Sequence, residues 1–279
     1  MGRLDGKVAM VTGGTQGIGR GMVLRFLKEG ARVVYCSRNP ANNEEMVPLI
    51  AEIPGGAENS LYIQANVGIK EQIQGVVHKT VEQFGRIDIV VNNAQGIAPL
   101  KPILDKPDED YAMTLTTGFY HSLWATQAAV PYMRKQGDGG RIINFSSHWA
   151  QGGVLYSSDY NITKNALEAF TRSAANEFGA DGITVNCITP AGASYAYWSY
   201  ADSNPGIHEQ ICALNPSRRM GDCEIDIAGM VLGLVSNNGR FVTGQNFYVD
   251  GGAWLSRPQG DHDAGTDIHT GRAQEAVSV

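Results

Sequence analysis

Seven apolar runs, each separated from the next by a segment with helical spacing, constrain this chain more than any other feature. They are KVAMVT (7–12), RVVYCS (32–37), LYIQAN (61–66), IDIVVN (87–92), RIINFS (141–146), ITVNCI (183–188) and QNFYVD (245–250). Strands that read as near-continuous apolar runs are buried on both faces, which happens when helices cover both sides of a parallel sheet. Helical patterns through Arg20–Lys28, 43–53, 70–84, 108–136 and up to about Phe178 provide that cover. The expectation is an α/β fold, a doubly wound, Rossmann-type parallel sheet flanked by helices on both faces, with ligands at the carboxyl ends of the strands. No internal repeat or second domain interrupts the rhythm, so residues 1–256 read as a single domain. A long stretch at about 190–220, rich in aromatics, Asn and Pro, reads as a lid or binding loop. Residues 257–279 are polar and nonperiodic and read as a tail, disordered or pinned to a neighbouring subunit.

Bulk properties exclude several classes. A formal net charge of −6 argues against nucleic acid or an anionic membrane as partner. No apolar run approaches the length that spans a bilayer, and the N-terminus lacks the pattern of a signal peptide. The four cysteines form no CxxC pair; Cys36 and Cys187 lie in strand-like runs and read as buried thiols. His262 and His269 share the tail with acidic residues but nothing fixes their geometry, so no metal is expected. A cytoplasmic enzyme or binding protein fits best.

Two local patterns carry chemistry. The first strand ends in Thr12-Gly13-Gly14-Thr15-Gln16-Gly17-Ile18-Gly19, directly before a helix. Glycines there allow a tight turn and close backbone approach, while the helix N-terminus presents free N–H groups to a pyrophosphate. Further on, Tyr160 and Lys164 stand i and i+4 in DYNITKNAL, on one face of a helix. An ammonium held there would favour the phenolate and lower the tyrosine pKa, making Tyr160 a general acid/base. Chance alone supplies roughly 0.3 such pairs in a chain of this composition, so the pair gains weight only from its surroundings.

Those surroundings resemble the short-chain dehydrogenase/reductase family, in its compact single-domain class. TGGTQGIG looks like the family's TGxxxGIG, and Asn92-Asn93-Ala94 resembles its NNAG, with Gln95 in place of the final glycine. Ser147 lies 13 residues before Tyr160, the family's usual serine position, and Val242-Thr243-Gly244 with Asp250-Gly251-Gly252 resembles its C-terminal signature. The resemblance covers residues 4–252 or so. It implies that Tyr160 moves the proton on the substrate oxygen, that Lys164 lowers its pKa and holds the nicotinamide ribose, and that Ser147 hydrogen-bonds the substrate oxygen.

The implied cofactor contacts are the glycine loop (Gly13, Thr15, Gln16, Gly17, Ile18, Gly19), Asn66 and Val67 beside the adenine, Asn93 and Ala94, Tyr160 and Lys164. Pro190-Ala191-Gly192-Ala193-Ser194 resembles the loop against the nicotinamide, which adds Pro190 and Ala193. At the end of the second strand Ser37 stands where an NAD-selecting acid would be, and Arg38 offers a fork to a 2′-phosphate. NADP is therefore favoured, with NAD the alternative. Many relatives carry an asparagine in a proton relay on the helix after the fourth strand; here that position is Gly118. Either a water fills the gap, or Thr117 or His121 contributes, or the relay is absent, and Gly118→Asn is expected to preserve or raise activity. Gln95, His148, Trp149, Tyr195 and Trp198 are expected to line a substrate pocket, an apolar or ring-binding one.

The leading expectation is an NADP(H)-linked enzyme interconverting a secondary alcohol and a ketone on a hydrophobic or cyclic small molecule. Its rivals are an NAD-linked dehydrogenase of a diol or sugar-like substrate, and a nucleotide-sensing scaffold with little turnover. The resemblance also implies a homo-oligomer, a tetramer.

Overall fold

The computed structural model describes residues 2–255 and the pairs Thr266–Asp267 and Arg272–Ala273, which run antiparallel to each other. The rest of the expected 257–279 tail, with His262 and His269, lies outside the described residues. In chain order the elements begin β1 (Val8–Thr12), α1 (Gly17–Lys28), β2 (Arg32–Ser37), α2 (Ala41–Glu44), α3 (Met46–Ala51) and β3 (Ser60–Gln64). They continue with α4 (Lys70–Phe84), β4 (Ile89–Asn92), α5 (Asp108–Leu115), α6 (His121–Gln136), β5 (Gly140–Phe145) and α7 (His148–Gly152). The chain then forms α8 (Ser158–Phe178), β6 (Ile183–Pro190), α9 (Tyr195–Asp202), α10 (Ile207–Leu214), α11 (Ala228–Val235) and β7 (Asn246–Val249).

All seven expected strands join one sheet, in the order β3-β2-β1-β4-β5-β6-β7. Every neighbouring pair is parallel. The near-continuous apolar runs have their cause in two cores. On β1, Ala9 and Val11 pack with Met22 and Phe26 of α1 and Val231 and Leu232 of α11. Met10, between them, points the other way into a second core with Val76 and Val77 of α4 and Ala125 and Ala129 of α6. The same alternation holds for Val33 and Val34 on β2 and for Ile89 and Val90 on β4. Each such side chain contributes roughly 1.5–3 kcal/mol by burial, so both faces of every central strand resist a polar substitution. Cys36 and Cys187 lie in this interior as free thiols, and burial pushes both up to about 12.

Three segments depart from the sequence expectations. The 43–53 helix splits into α2 and α3. The 108–136 helix is interrupted by a π turn at Thr116–Tyr120, where the N–H of His121 reaches five residues back to the carbonyl of Thr116. The lid stretch is largely helical, as α9 and α10. Because β1 has β2 on one side and β4 on the other, the strand order reverses there, and the crevice opens at the carboxyl ends of β1 and β4.

Candidate active site

The glycine loop is anchored before it turns. Thr12 Oγ1, at the end of β1, accepts the N–H groups of Asn93 at 3.0 Å and Ala94 at 3.1 Å. Asn93 Nδ2 donates back to the carbonyl of Thr12 at 3.0 Å, so the ends of β1 and β4 are laced together. Gly13 and Gly17 have φ of +65° and +48°, conformations a side chain rarely adopts. A Cβ on Gly19 would lie 2.1 Å from the carbonyl oxygen of Gly13, so the helix start seats directly on the loop. Gln16, the residue before α1, supplies no side-chain cap, which leaves the first-turn N–H groups available to an anion. Thr15 is buried beneath this turn.

At the end of β2 the Ser37 hydroxyl donates to the carbonyl of Asn39 at 3.1 Å. Arg38 is exposed and makes no ion pair among the described residues, whereas Arg20 nearby is held by Glu45 at 2.5 Å. Asn66 uses its side-chain oxygen locally, accepting the N–H of Gly68 at 2.9 Å, and Val67 packs on the second core. On the other side of the crevice, β6 ends at Pro190 and the N–H of Ala193 donates to Gly221 at 2.8 Å. A Cβ on Gly17 would be 3.2 Å from Cβ of Ser194, so the lid starts against the glycine loop. The glycine cradle, the uncapped helix start and the free guanidinium of Arg38 together fit a dinucleotide bearing an extra phosphate.

Ser147 leaves β5 and caps α7, its Oγ accepting the N–H of Trp149 at 3.2 Å. Its side chain also lies close enough to Tyr160, in the first turn of α8, to favour the phenolate. One turn on, Lys164 is 4% exposed and its Nζ donates to the carbonyl of Phe145 at 2.9 Å. That ammonium lies 5.4 Å from the centre of the Tyr160 ring, over the ring rather than at the hydroxyl. The expected lowering of the Tyr160 pKa by Lys164 is therefore not found. Burial raises it above the usual phenol value, with the Ser147 side chain opposing. Burial also lowers Lys164 to about 8, the neighbouring Cys187 opposing. Tyr160 is thus held as the neutral phenol, the form that can give a proton to a carbonyl oxygen.

Gly118 sits in the π turn and has no room for a side chain. A Cβ there would lie 2.3 Å from both Gln95 Oε1 and Thr163 Cγ2. A Gly118→Asn side chain would therefore require the Gln95 carboxamide and the Thr163 methyl to shift. Of the candidates for the relay, Thr117 Oγ1 donates to Met113 at 2.8 Å and accepts from the N–H of Gly96 at 3.0 Å. His121 is 1% exposed, with Nε2 at 3.2 Å from Thr12 Oγ1. Burial lowers its pKa to about 4, and the positive charge of Lys164 adds to this.

The residues expected in the pocket do not gather in one place. The Trp149 ring stands 5.9 Å from that of Tyr160, edge to face. Tyr195 and Trp198 are exposed on α9, with Trp198 stacked on His208 at 5.0 Å. Gln95 is directed between the π turn and α8, and His148 pairs with Asp250 at 3.1 Å against the rings of Tyr248 and Trp254.

Sequence reasoning missed an ion pair beside the site. Lys106 and Asp159 are buried and bonded to each other, tying the β4–α5 loop to the residue before Tyr160. The two stand 53 residues apart and nothing in either neighbourhood pairs them. It also missed Glu168, which accepts from Ser146 Oγ at 2.5 Å and from Gln151, steadying the turn that carries Ser147. Its signal was present: Glu168 follows Lys164 by four residues on the same helix face.

Comparison with known proteins agrees with this fold. Residues 13–253 match the family model described as enoyl-(acyl carrier protein) reductase. The chain is 32% identical over 254 residues to the L-2,3-butanediol dehydrogenase of Corynebacterium glutamicum, covering 88% of this chain and 98% of that protein. It is 30% identical over 260 residues to the 12alpha-hydroxysteroid dehydrogenase of a Clostridium species, covering 90% of this chain and 98% of that one. A blue fluorescent protein from a metagenomic library, solved in complex with NADPH, superposes with a TM-score of 0.80 at 32% identity, covering 90% of this chain and 99% of that chain.

Proposed function

The chain belongs to the short-chain dehydrogenase/reductase family, and from that premise we propose that it is an NADP(H)-dependent dehydrogenase interconverting a secondary alcohol and a ketone. The observation that carries the reading is the approach of the Ser147 side chain to Tyr160, with Lys164 over the ring, at the strand edge that holds the glycine loop. The glycine loop and α1 start would hold the pyrophosphate, and Ser37 and Arg38 the adenosine phosphate, with Asn66 and Val67 beside the base. Asn93, Ala94, Pro190, Ala193 and Lys164 would border the nicotinamide half. When bound, the nicotinamide supplies or accepts the hydride. Ser147 fixes the substrate oxygen and Tyr160 gives or takes its proton.

The loops at this edge support an apolar or cyclic substrate. Ile97, Leu100, Ile103 and Leu104 on the β4–α5 loop, Leu155 before α8 and Tyr195 on the lid are all exposed, Leu104 to 97%. Trp149 beside Tyr160 gives such a substrate an aromatic wall. An NAD-linked diol dehydrogenase is the second reading, and the butanediol relative is its support. The same proposal carries a homotetrameric cytoplasmic enzyme; no helix among the described residues is long and apolar enough to cross a membrane.

Fluorescence titration with NADPH and NADH, followed by absorbance assays with 2,3-butanedione, cyclohexanone and a 12-keto steroid, tests the reading. NADPH is expected to bind about tenfold or more tightly than NADH, with Arg38→Leu removing the difference. Tighter NADH binding selects the second reading, and no turnover with any carbonyl defeats the first.

A further inference from the structure

Tyr160 is the third residue of α8, so its position depends on how the start of that helix is fixed. A helix start commonly gains definition from a side-chain cap, and Ser157, the residue before α8, supplies none. The backbone ahead of it is strained: Tyr156 holds φ at +64°, a left-handed conformation that a bulky side chain rarely adopts. Such a conformation persists only where its surroundings enforce it. Here one arm of the chain, residues 101–111, does so. The N–H of Lys101 donates to the carbonyl of Tyr156 at 3.0 Å. The hydroxyls of Tyr111 and Ser158 are hydrogen-bonded at 2.7 Å. Between these two links in the arm, Lys106 donates to Oδ1 of the buried Asp159. The other carboxylate oxygen, Oδ2, has no hydrogen-bond partner among the described residues, so among them Lys106 alone holds this side chain. The arm is closed on itself by Lys101 and Asp110, 3.3 Å apart.

We propose that residues 101–111 are a splint for the first turn of α8, in which Lys106 and Asp159 position Tyr160 for proton transfer. The ties end at Tyr156, Ser158 and Asp159, which lead directly into Tyr160, so a loosened splint displaces the phenol before it unfolds the helix. The same arm carries the exposed Ile103 and Leu104, so the loop proposed to meet the substrate is joined to the residue proposed to protonate it. Both side chains of the pair are all but inaccessible and reach no reacting atom, which makes them positioning residues. The inference rests on the dehydrogenase reading above.

Lys106→Met/Asp159→Leu tests this, because it removes the tie and strands no charge. With the fastest carbonyl of the panel, kcat is expected to fall about tenfold or more, with KM within about threefold and NADPH affinity within about twofold of wild type. Amide hydrogen exchange should quicken over residues 156–161 and stay unchanged over the glycine loop. Wild-type kcat, or unchanged exchange at 156–161, confines the pair to stability and overturns the proposal. A fall in kcat matched by an equal loss of NADPH affinity overturns it too, since the damage is then general. If the double variant does not fold, Tyr111→Phe decides, because it removes only a hydroxyl link. There kcat is expected to fall about threefold or more at unchanged NADPH affinity, and wild-type kcat overturns the proposal. The two readings fail differently: no carbonyl turnover by the wild-type protein defeats the dehydrogenase reading, whereas hydrogen exchange reads the splint without turnover.

Discussion

Burial acts in opposite directions on the two groups that the sequence places one helical turn apart. It raises the Tyr160 phenol and lowers the Lys164 ammonium, since each charged form loses its water. The spacing was legible in DYNITKNAL; the sign of the tyrosine shift was not, because sequence spacing gives neither depth nor the 5.4 Å offset of Nζ over the ring. Gly118 teaches the same lesson, its lack of a side chain being visible at once and the Gln95 amide in its place only in three dimensions. His121 gives this scale a measurable consequence. Its folded pKa of about 4 lies below the unfolded value of 6.5, so the unfolded chain takes up a proton first as pH falls. Stability is therefore full above pH 6.5 and is lost between 6.5 and about 4, by about 3 kcal/mol from this residue. Urea unfolding across that window should show the loss, and His121→Gln should flatten it; an unchanged slope in the variant would remove His121 as the cause.

The strands were the most legible elements, because a parallel sheet between two cores writes unbroken apolar runs into Val8–Thr12 and Ile183–Pro190. Helix interruptions were less so. Nothing in TLTTGFYHS marks a π turn, which lies between α5 and α6 with Gln95 and Thr163 against its Gly118. The Lys106–Asp159 pair belongs to this scale, since it joins a loop to the first turn of α8. Both side chains are all but inaccessible, at 0% and 1% exposure. Removing one partner of such a pair strands the other charge, at a cost of about 3–5 kcal/mol. Lys106→Met should lower the thermal midpoint by roughly 10 °C, and Lys106→Met/Asp159→Leu should recover much of it. A single variant melting with the wild type would show that the pair holds nothing in place.

At the scale of the molecule, the location of the site follows from the strand order. β1 between β2 and β4 opens a crevice where Thr12 and Asn93 are laced together, and β5 and α8 bring Ser147 and Tyr160 to the same edge. Ordered motifs spread from Gly13 to Gly252 announced that convergence, because all but Val242-Thr243-Gly244 mark the carboxyl end of a strand or the helix after it. The lid was legible only as a long irregular stretch; its two helices, and the stacking of Trp198 on His208, depend on contacts between segments the sequence does not relate. The central claim is that this edge binds a nicotinamide cofactor and that Tyr160 supplies the proton. Its most direct test measures NADPH binding by fluorescence and NADPH oxidation by absorbance on the same preparation of Tyr160→Phe. The expected result is affinity within about threefold of wild type with turnover reduced at least about a hundredfold; turnover within about tenfold of wild type would contradict the assignment.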